Sequence, residues 1–368
     1  MSKKLVFVSI LLLAAVFLSA CTGGPIRGST WPGLTADEQT AYLADGPFVF
    51  AINLRDGREL WRYPEDSDAK LAFFSTPVIT PEGHVIIGSS GTSYSLLALD
   101  PADISNETNT PAVEWTFEGA QDHWVAAPLV VDDRLFAVNA DGNLYILDLQ
   151  DGQSTKLPVE TIQIGGRLWS QPITDGERIY ITSLDHSVVA VDVATYDVLW
   201  HADVEGAVPG SAVIGSDGML YVGSLASELI RFDPATGEHS PVLNSDYWIW
   251  STPTVEGDTL YFGDLDGNFY SYSTDTSGLN WQPVQPDGPI TASPLVQDEN
   301  ILLATESGSV YALDHDGKVL WSQAVGGKIY TSPVFAGGLT LVAPLEADFY
   351  LTALDENGRQ VWTFTEEN

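Results

Sequence analysis

Asp264, Asp266 and Asn268 alternate along one short stretch, with Gly267 between the last two. Alternating oxygen ligands beside a turning glycine resemble the first half of a calcium loop, but the later bidentate Glu is missing. The same residues spell an Asp-Gly hairpin turn, which needs no ion. Six histidines, His84, His123, His186, His201, His239 and His315, show no metal-ligand spacing and read as solvated side chains at turns and strand edges. No Gly-x-Ser-x-Gly elbow marks a nucleophile. The acids are scattered about one to a turn, so no pair stands out as general acid and base. With 50 acidic against 15 basic residues the formal charge is −35. Such a chain cannot neutralise a phosphate backbone, which excludes nucleic acid, and it is repelled by anionic lipid headgroups.

The residues that remain are suited to recognition. Phe74, Trp124, Trp169, Trp248, Trp250 and Tyr330 lie just ahead of a recurring small-x-Pro mark, as do the cations Arg167 and Lys328. Aromatics with an occasional Arg are the usual anchors of protein-recognition surfaces. The competing reading packs several of them inward as core. Arg167 and Lys328 each stand three residues before their mark and are free either to meet an anionic partner or to pair with Asp185, Glu306, Glu346 or Asp348.

The mark itself shows what must position these side chains. It occurs at Thr30-Trp31-Pro32, Ser75-Thr76-Pro77, Ala126-Ala127-Pro128, Ser170-Gln171-Pro172, Ser251-Thr252-Pro253, Ala292-Ser293-Pro294 and Thr331-Ser332-Pro333, and in degraded form at Gly210-Ser211-Ala212. Successive third positions are 45, 51, 44, 40, 41, 41 and 39 residues apart. Each unit adds an apolar run, a turn, a strand ending in a motif such as Leu313-Asp314, an Asp-Gly turn and a closing tryptophan: Trp61, Trp115, Trp200, Trp281, Trp321 or Trp362. In two units Lys156 and Pro241 stand near the tryptophan's place.

A period of this length with four short strands per unit predicts an all-β, eight-bladed β-propeller of four-stranded antiparallel blades. In the sixth unit the strands are expected at Ser251–Val255, Thr259–Gly263, Asn268–Tyr272 and around Trp281. Small residues fit the crowded axis, the strand-three Asp accepts from the turn that follows, and the tryptophan packs between blades. The loops between blades open on the same mouth as the turns between strands two and three. The residues ahead of each mark therefore form a ring at that mouth. Their variation is informative: Trp169, Trp250 and Tyr330 correspond to Thr291 in the seventh unit.

Ahead of the repeats, Lys3 and Lys4 precede an apolar run from Leu5 to Leu18 that is too short for a comfortable membrane span. The run ends in Leu18-Ser19-Ala20-Cys21, which resembles the lipobox of bacterial lipoproteins, and Cys21 is the only cysteine. The expected organisation is a signal peptide over residues 1–20, a tether over 21–29 following lipidated Cys21, and a propeller over 30–364. That places the chain outside the cytoplasm, membrane-anchored by lipid at the outer face of the cytoplasmic membrane or the periplasmic face of an outer membrane.

The units Tyr311-Ala312-Leu313-Asp314-x-x-Gly317-x-x-x-Trp321 and Ala353-Leu354-Asp355-x-x-Gly358-x-x-x-Trp362 resemble the tryptophan-docking repeat of quinoprotein-type propellers, and Asn53-x-x-Asp56-Gly57-x-x-x-Trp61 is a third match. The resemblance spans the mature chain and implies one of two classes. One holds the dehydrogenases that use pyrroloquinoline quinone (PQQ), which share a calcium site, a catalytic Asp and commonly a vicinal disulfide. The other holds the BamB-type lipoproteins, non-enzymatic scaffolds of outer-membrane protein assembly. A lone Cys21 forbids the disulfide, and no residue here matches the catalytic Asp. The expectation is therefore a monomeric scaffold without cofactor whose partner is an envelope protein or peptide. An oxidoreductase with PQQ and Ca²⁺ is the first alternative, and an envelope module that binds or senses a peptide or polymer is the second.

Overall fold

The structure, a computed structural model, describes residues 31–153 and 161–366. The expected leader, Cys21, the tether and Lys156 lie outside the described residues. Eight four-stranded sheets follow one another, each with its strands paired in chain order. Blade one runs from the strand Gly33–Ala36 to Glu59–Tyr63, and blade eight from Val334–Ala336 to Gln360–Phe364. This is the eight-bladed, all-β propeller that the repeat predicts.

Burial explains the composition of each strand. Third strands such as Phe48–Asn53 and Ser187–Asp192 are buried almost throughout, because a neighbouring blade covers each face. An outermost strand such as Val319–Ala324 alternates with solvent. The core is a chain of interblade clusters rather than one centre. Phe50 and Leu43 of blade one, for example, share a cluster with Leu341, Leu351 and Trp362 of blade eight.

The closing tryptophans join the blades. Trp115 donates its indole N–H to the Leu149 carbonyl of the next blade at 3.1 Å, and Trp200 does the same to Pro234 at 2.9 Å. Trp281 and Trp321 repeat the contact on His315 and Glu356. Trp362 closes the ring by donating to Leu54 of blade one at 2.8 Å. Its indole also lies over Gly57, whose φ is +72° and where a Cβ would come within 2.7 Å of the ring. The repeated glycine thus meets two demands at once, a left-handed turn and a flat seat for the indole. The strand-three carboxylates accept from the next turn as expected: Asp192 Oδ1 takes the amides of Ala194 and Thr195.

Near the axis the small residues do more than fit. The amide of Ser211 donates to Thr252 Oγ1, that of Thr252 to Ser293 Oγ, and that of Ser293 to Ser332 Oγ. Each hydroxyl belongs to the next blade, so a belt of hydroxyls ties blades five to eight together around the channel.

Blade six departs from the expected strands. Its third strand is Phe269–Ser273, and its fourth is only Gly278–Leu279, ending before Trp281. Pairing resumes as a single bridge between Phe269 and Val284. Pro283 lies in the gap, and a proline has no amide to give the ladder.

Candidate functional site

Each blade enters its innermost strand through three residues with three different fates. The third residue before the mark gives its carbonyl to the amide of the same blade's strand-two-to-three turn: Leu184 to Arg167, Leu265 to Trp248 and Leu345 to Lys328. That bond turns the side chain outward onto the rim. The second residue is buried between blades at Phe73, Leu168, Ile249, Ile290 and Ile329. The first faces the channel.

The channel position alternates in size. It is aromatic in blades two, four, six and eight, as Phe74, Trp169, Trp250 and Tyr330, and small or aliphatic in the blades between, as Val125, Pro209 and Thr291. Crowding around one axis accounts for this, because bulky rings fit when separated by smaller neighbours. The rings surround a cavity of about 470 Å³. Trp31 also lines it, with ring centroids 6.4 Å from Trp169, 6.2 Å from Trp250 and 6.0 Å from Tyr330. Its signal in the sequence was a bulky ring at the middle of a mark that otherwise holds Thr, Ala, Gln or Ser. In the channel wall, Trp169 Nε1 and Thr291 Oγ1 are buried with no hydrogen-bond partner among the described residues. In the same lining, burial raises the pKa of the Glu306 carboxyl, which the nearby Lys328 partly offsets.

Trp124 is not at the mouth. It is 1% exposed, packs against Phe117 and Tyr145, and donates its indole N–H to the Tyr94 carbonyl. It occupies the second position, where the other blades bury Phe, Leu, Val or Ile, while Val125 takes the channel position. Trp248 is the opposite case: 45% exposed on the rim and stacked on Tyr247 with centroids 5.2 Å apart. Of the two rim cations, Lys328 pairs with Glu346 at 3.3 Å. Arg167 is exposed and has no ion pair among the described residues. It supplies a favourable field at Asp122, whose pKa is lowered: burial opposes the shift, and hydrogen bonds from the His123 amide and ring favour it.

The Asp264 turn is a closed unit. Asp264 is fully buried, its Oδ1 accepts from the amides of Asp266 and Asn268, and its Oδ2 accepts from Tyr270 OH at 2.8 Å. Both oxygens are committed to its own hairpin, which favours the turn reading over the calcium loop. The channel wall also fits an anionic quinone with Ca²⁺ poorly. Among the described residues its lining holds no Lys or Arg, Glu306 is its one carboxylate, and Trp31 adds a bulky ring.

A model of the family described as outer membrane protein assembly factor BamB matches residues 18–241, 185–297 and 286–368. The outer membrane protein assembly factor BamB of Yersinia pestis is 24% identical over 305 residues, covering 80% of this chain and 73% of that protein. The quinoprotein ethanol dehydrogenase of Pseudomonas aeruginosa is 26% identical over 244 residues, 58% of this chain but only 33% of that enzyme. The crystal structure of BamB from Moraxella catarrhalis superposes with a TM-score of 0.65, over 93% of this chain and 97% of that one, at 21% identity. The computationally designed Ika8 protein superposes as well, at a TM-score of 0.67 with 13% identity. Likeness of fold alone therefore carries no function here.

Proposed function

Since the chain belongs to the outer membrane protein assembly factor BamB family, we propose that it is a lipid-anchored, extracytoplasmic, non-enzymatic scaffold for protein assembly in the cell envelope. Lipidated Cys21 holds it at the membrane, and the mouth of the propeller docks an envelope protein or peptide. The observation that carries the reading is the mouth itself. The exposed Tyr247–Trp248 stack shares a rim with the exposed cation Arg167, which has no ion pair among the described residues. The two rings are 44% and 45% exposed. Exposed aromatics and an arginine on one rim are the residue types of an interaction hot spot.

The acidity of the chain narrows the partner. At a formal charge of −35, long-range attraction favours a neutral or basic surface. Arg167 then meets an acidic group within that surface. The engagement of the Asp264 carboxylate by its own hairpin, and a channel lining without Lys or Arg among the described residues, favour a scaffold over a quinone-dependent dehydrogenase.

The test is site-specific photocrosslinking in intact envelopes. A photoreactive residue at position 248 or 167 is expected to trap a discrete partner. The same residue at position 199, on the outer edge of blade four, is expected to trap none. Equal crosslinking from both places would remove the mouth from the proposal. A purified chain that retains PQQ with Ca²⁺ and oxidises alcohols with a dye acceptor would overturn the non-enzymatic reading.

A further inference from the structure

Blade two carries a group of side chains that none of the preceding contacts uses. His84, Asp100 and Glu114 come from three successive strands or their edges, and their ligand atoms lie within 4.8 Å of one another. His84 immediately precedes the second strand, Val85–Gly88, and lies one residue beyond the Val85–Leu99 pair, opposite Asp100 in the third strand. Glu114 is on the outermost strand, Pro111–Phe117.

A β-bulge brings Glu114 into the group. Ala98 pairs with Trp115 and Leu99 with Val113, so Glu114 is the extra residue on its strand. Bulges re-aim side chains in this way. The same bulge recurs elsewhere with an apolar extra residue: Leu60 in blade one, Leu199 in blade four, Leu320 in blade seven and Val361 in blade eight. Among the described residues, blade two alone puts a carboxylate at this bulge.

The residue facing the strand-three Asp differs as well. In blades three and four it is an arginine, Arg134 opposite Asp148 and Arg178 opposite Asp192. Blade two replaces that fixed positive charge with an imidazole and adds a second acid. Among the described residues, neither Asp100 nor Glu114 pairs with a Lys or Arg, and His84 makes no ion pair within 4.0 Å of either. The Asp100 Oδ1 atom accepts the Ala102 amide at 2.8 Å, which orients the carboxylate. Two like charges therefore converge with an imidazole on a common point, without neutralising one another.

We propose that His84, Asp100 and Glu114 bind a divalent transition-metal ion of the zinc type, which clips together the last three strands of blade two. A nitrogen ligand with two carboxylates suits zinc, whereas calcium and magnesium favour oxygen ligands alone. Three protein ligands leave a coordination position for water on the exposed side at Glu114. The ion supplies the positive charge that no Lys or Arg among the described residues brings to these two carboxylates.

The experiment uses the full chain in detergent, stripped with a chelator and titrated with Zn²⁺ in a calorimeter, with Co²⁺ as a spectroscopic probe. The expected result is saturable binding of one ion per chain. Binding should weaken at least about tenfold in Glu114→Leu and in His84→Ala, because each removes a direct ligand. Glu114→Leu copies the bulge residue of blades one, four and seven, so its metal-free melting temperature should match that of the parent. Saturating Zn²⁺ should raise the melting temperature of the parent chain and not that of Glu114→Leu. The visible Co²⁺ band should be lost with His84. No saturable binding, or one-ion binding that both variants retain, would overturn the site.

Discussion

Two rings of aromatic side chains run around this propeller, and they obey different rules. On the docking side, tryptophan after tryptophan makes one contact: an indole over a glycine and an N–H to a carbonyl in the next blade, as at Trp362 with Gly57 and Leu54. At the mouth the blades differ from their neighbours. The channel position runs through Phe74, Val125, Trp169, Pro209, Trp250, Thr291 and Tyr330, and the rim holds Arg167, Trp248 and Lys328. Identity between blades marks what every blade needs in order to pack. Difference between blades marks what the fold leaves free.

Substitutions can break that contrast, and the docking ring should give the largest effect. Trp362→Ala opens the seam between blades eight and one and removes a nearly buried indole. We expect a loss of about 3–5 kcal/mol in denaturant unfolding. Gly57→Ala forces a Cβ to within 2.7 Å of that indole at a positive φ, and should cost about 1–3 kcal/mol by the same measurement.

An effect spread over several blades should appear in alkali. The Tyr42 hydroxyl is pushed up to about 12, by burial first and then by the Asp37 carboxylate. Tyr145, Tyr180, Tyr221 and Tyr270 are also raised, burial again leading, each with a hydrogen bond to a carboxylate. In the unfolded chain tyrosines ionise near pH 10. Above that pH the native state binds more protons than the unfolded one, so stability is present below pH 10 and falls as pH rises toward the native values. A denaturant midpoint that stays level from pH 10 to pH 12 would contradict these burial assignments. The smallest effect is expected at the rim, where Trp248→Ala should change stability by less than about 0.5 kcal/mol.

The docking ring was far more legible in the sequence than the mouth. A Trp four residues after a Gly, repeated with the period of a blade, has one sensible physical role, and the structure gives it that role. The order of the three residues entering each blade could not be read in the same way. Neighbouring residues there point to the rim, the interblade core or the channel, and all three places accept an aromatic ring. Trp124 shows the consequence: its neighbour Val125 takes the channel position, so Trp124 occupies a core position that is aliphatic in most blades. Trp31 was visible only as an anomaly in its mark, because its neighbours Trp169, Trp250 and Tyr330 arrive from distant blades. Likewise His84, Asp100 and Glu114 have no metal-ligand spacing along the chain. Strand pairing and a bulge bring them together.

The central claim is that the side chains free of the fold's demands form the partner surface. It is tested most directly by comparing the double variant Tyr247→Ala, Trp248→Ala with the parent chain, both carrying the same photocrosslinker at position 167 in intact envelopes. The account predicts that the crosslinked partner falls at least about tenfold while the purified variant melts at the temperature of the parent. Undiminished crosslinking by a variant lacking both rings would contradict it.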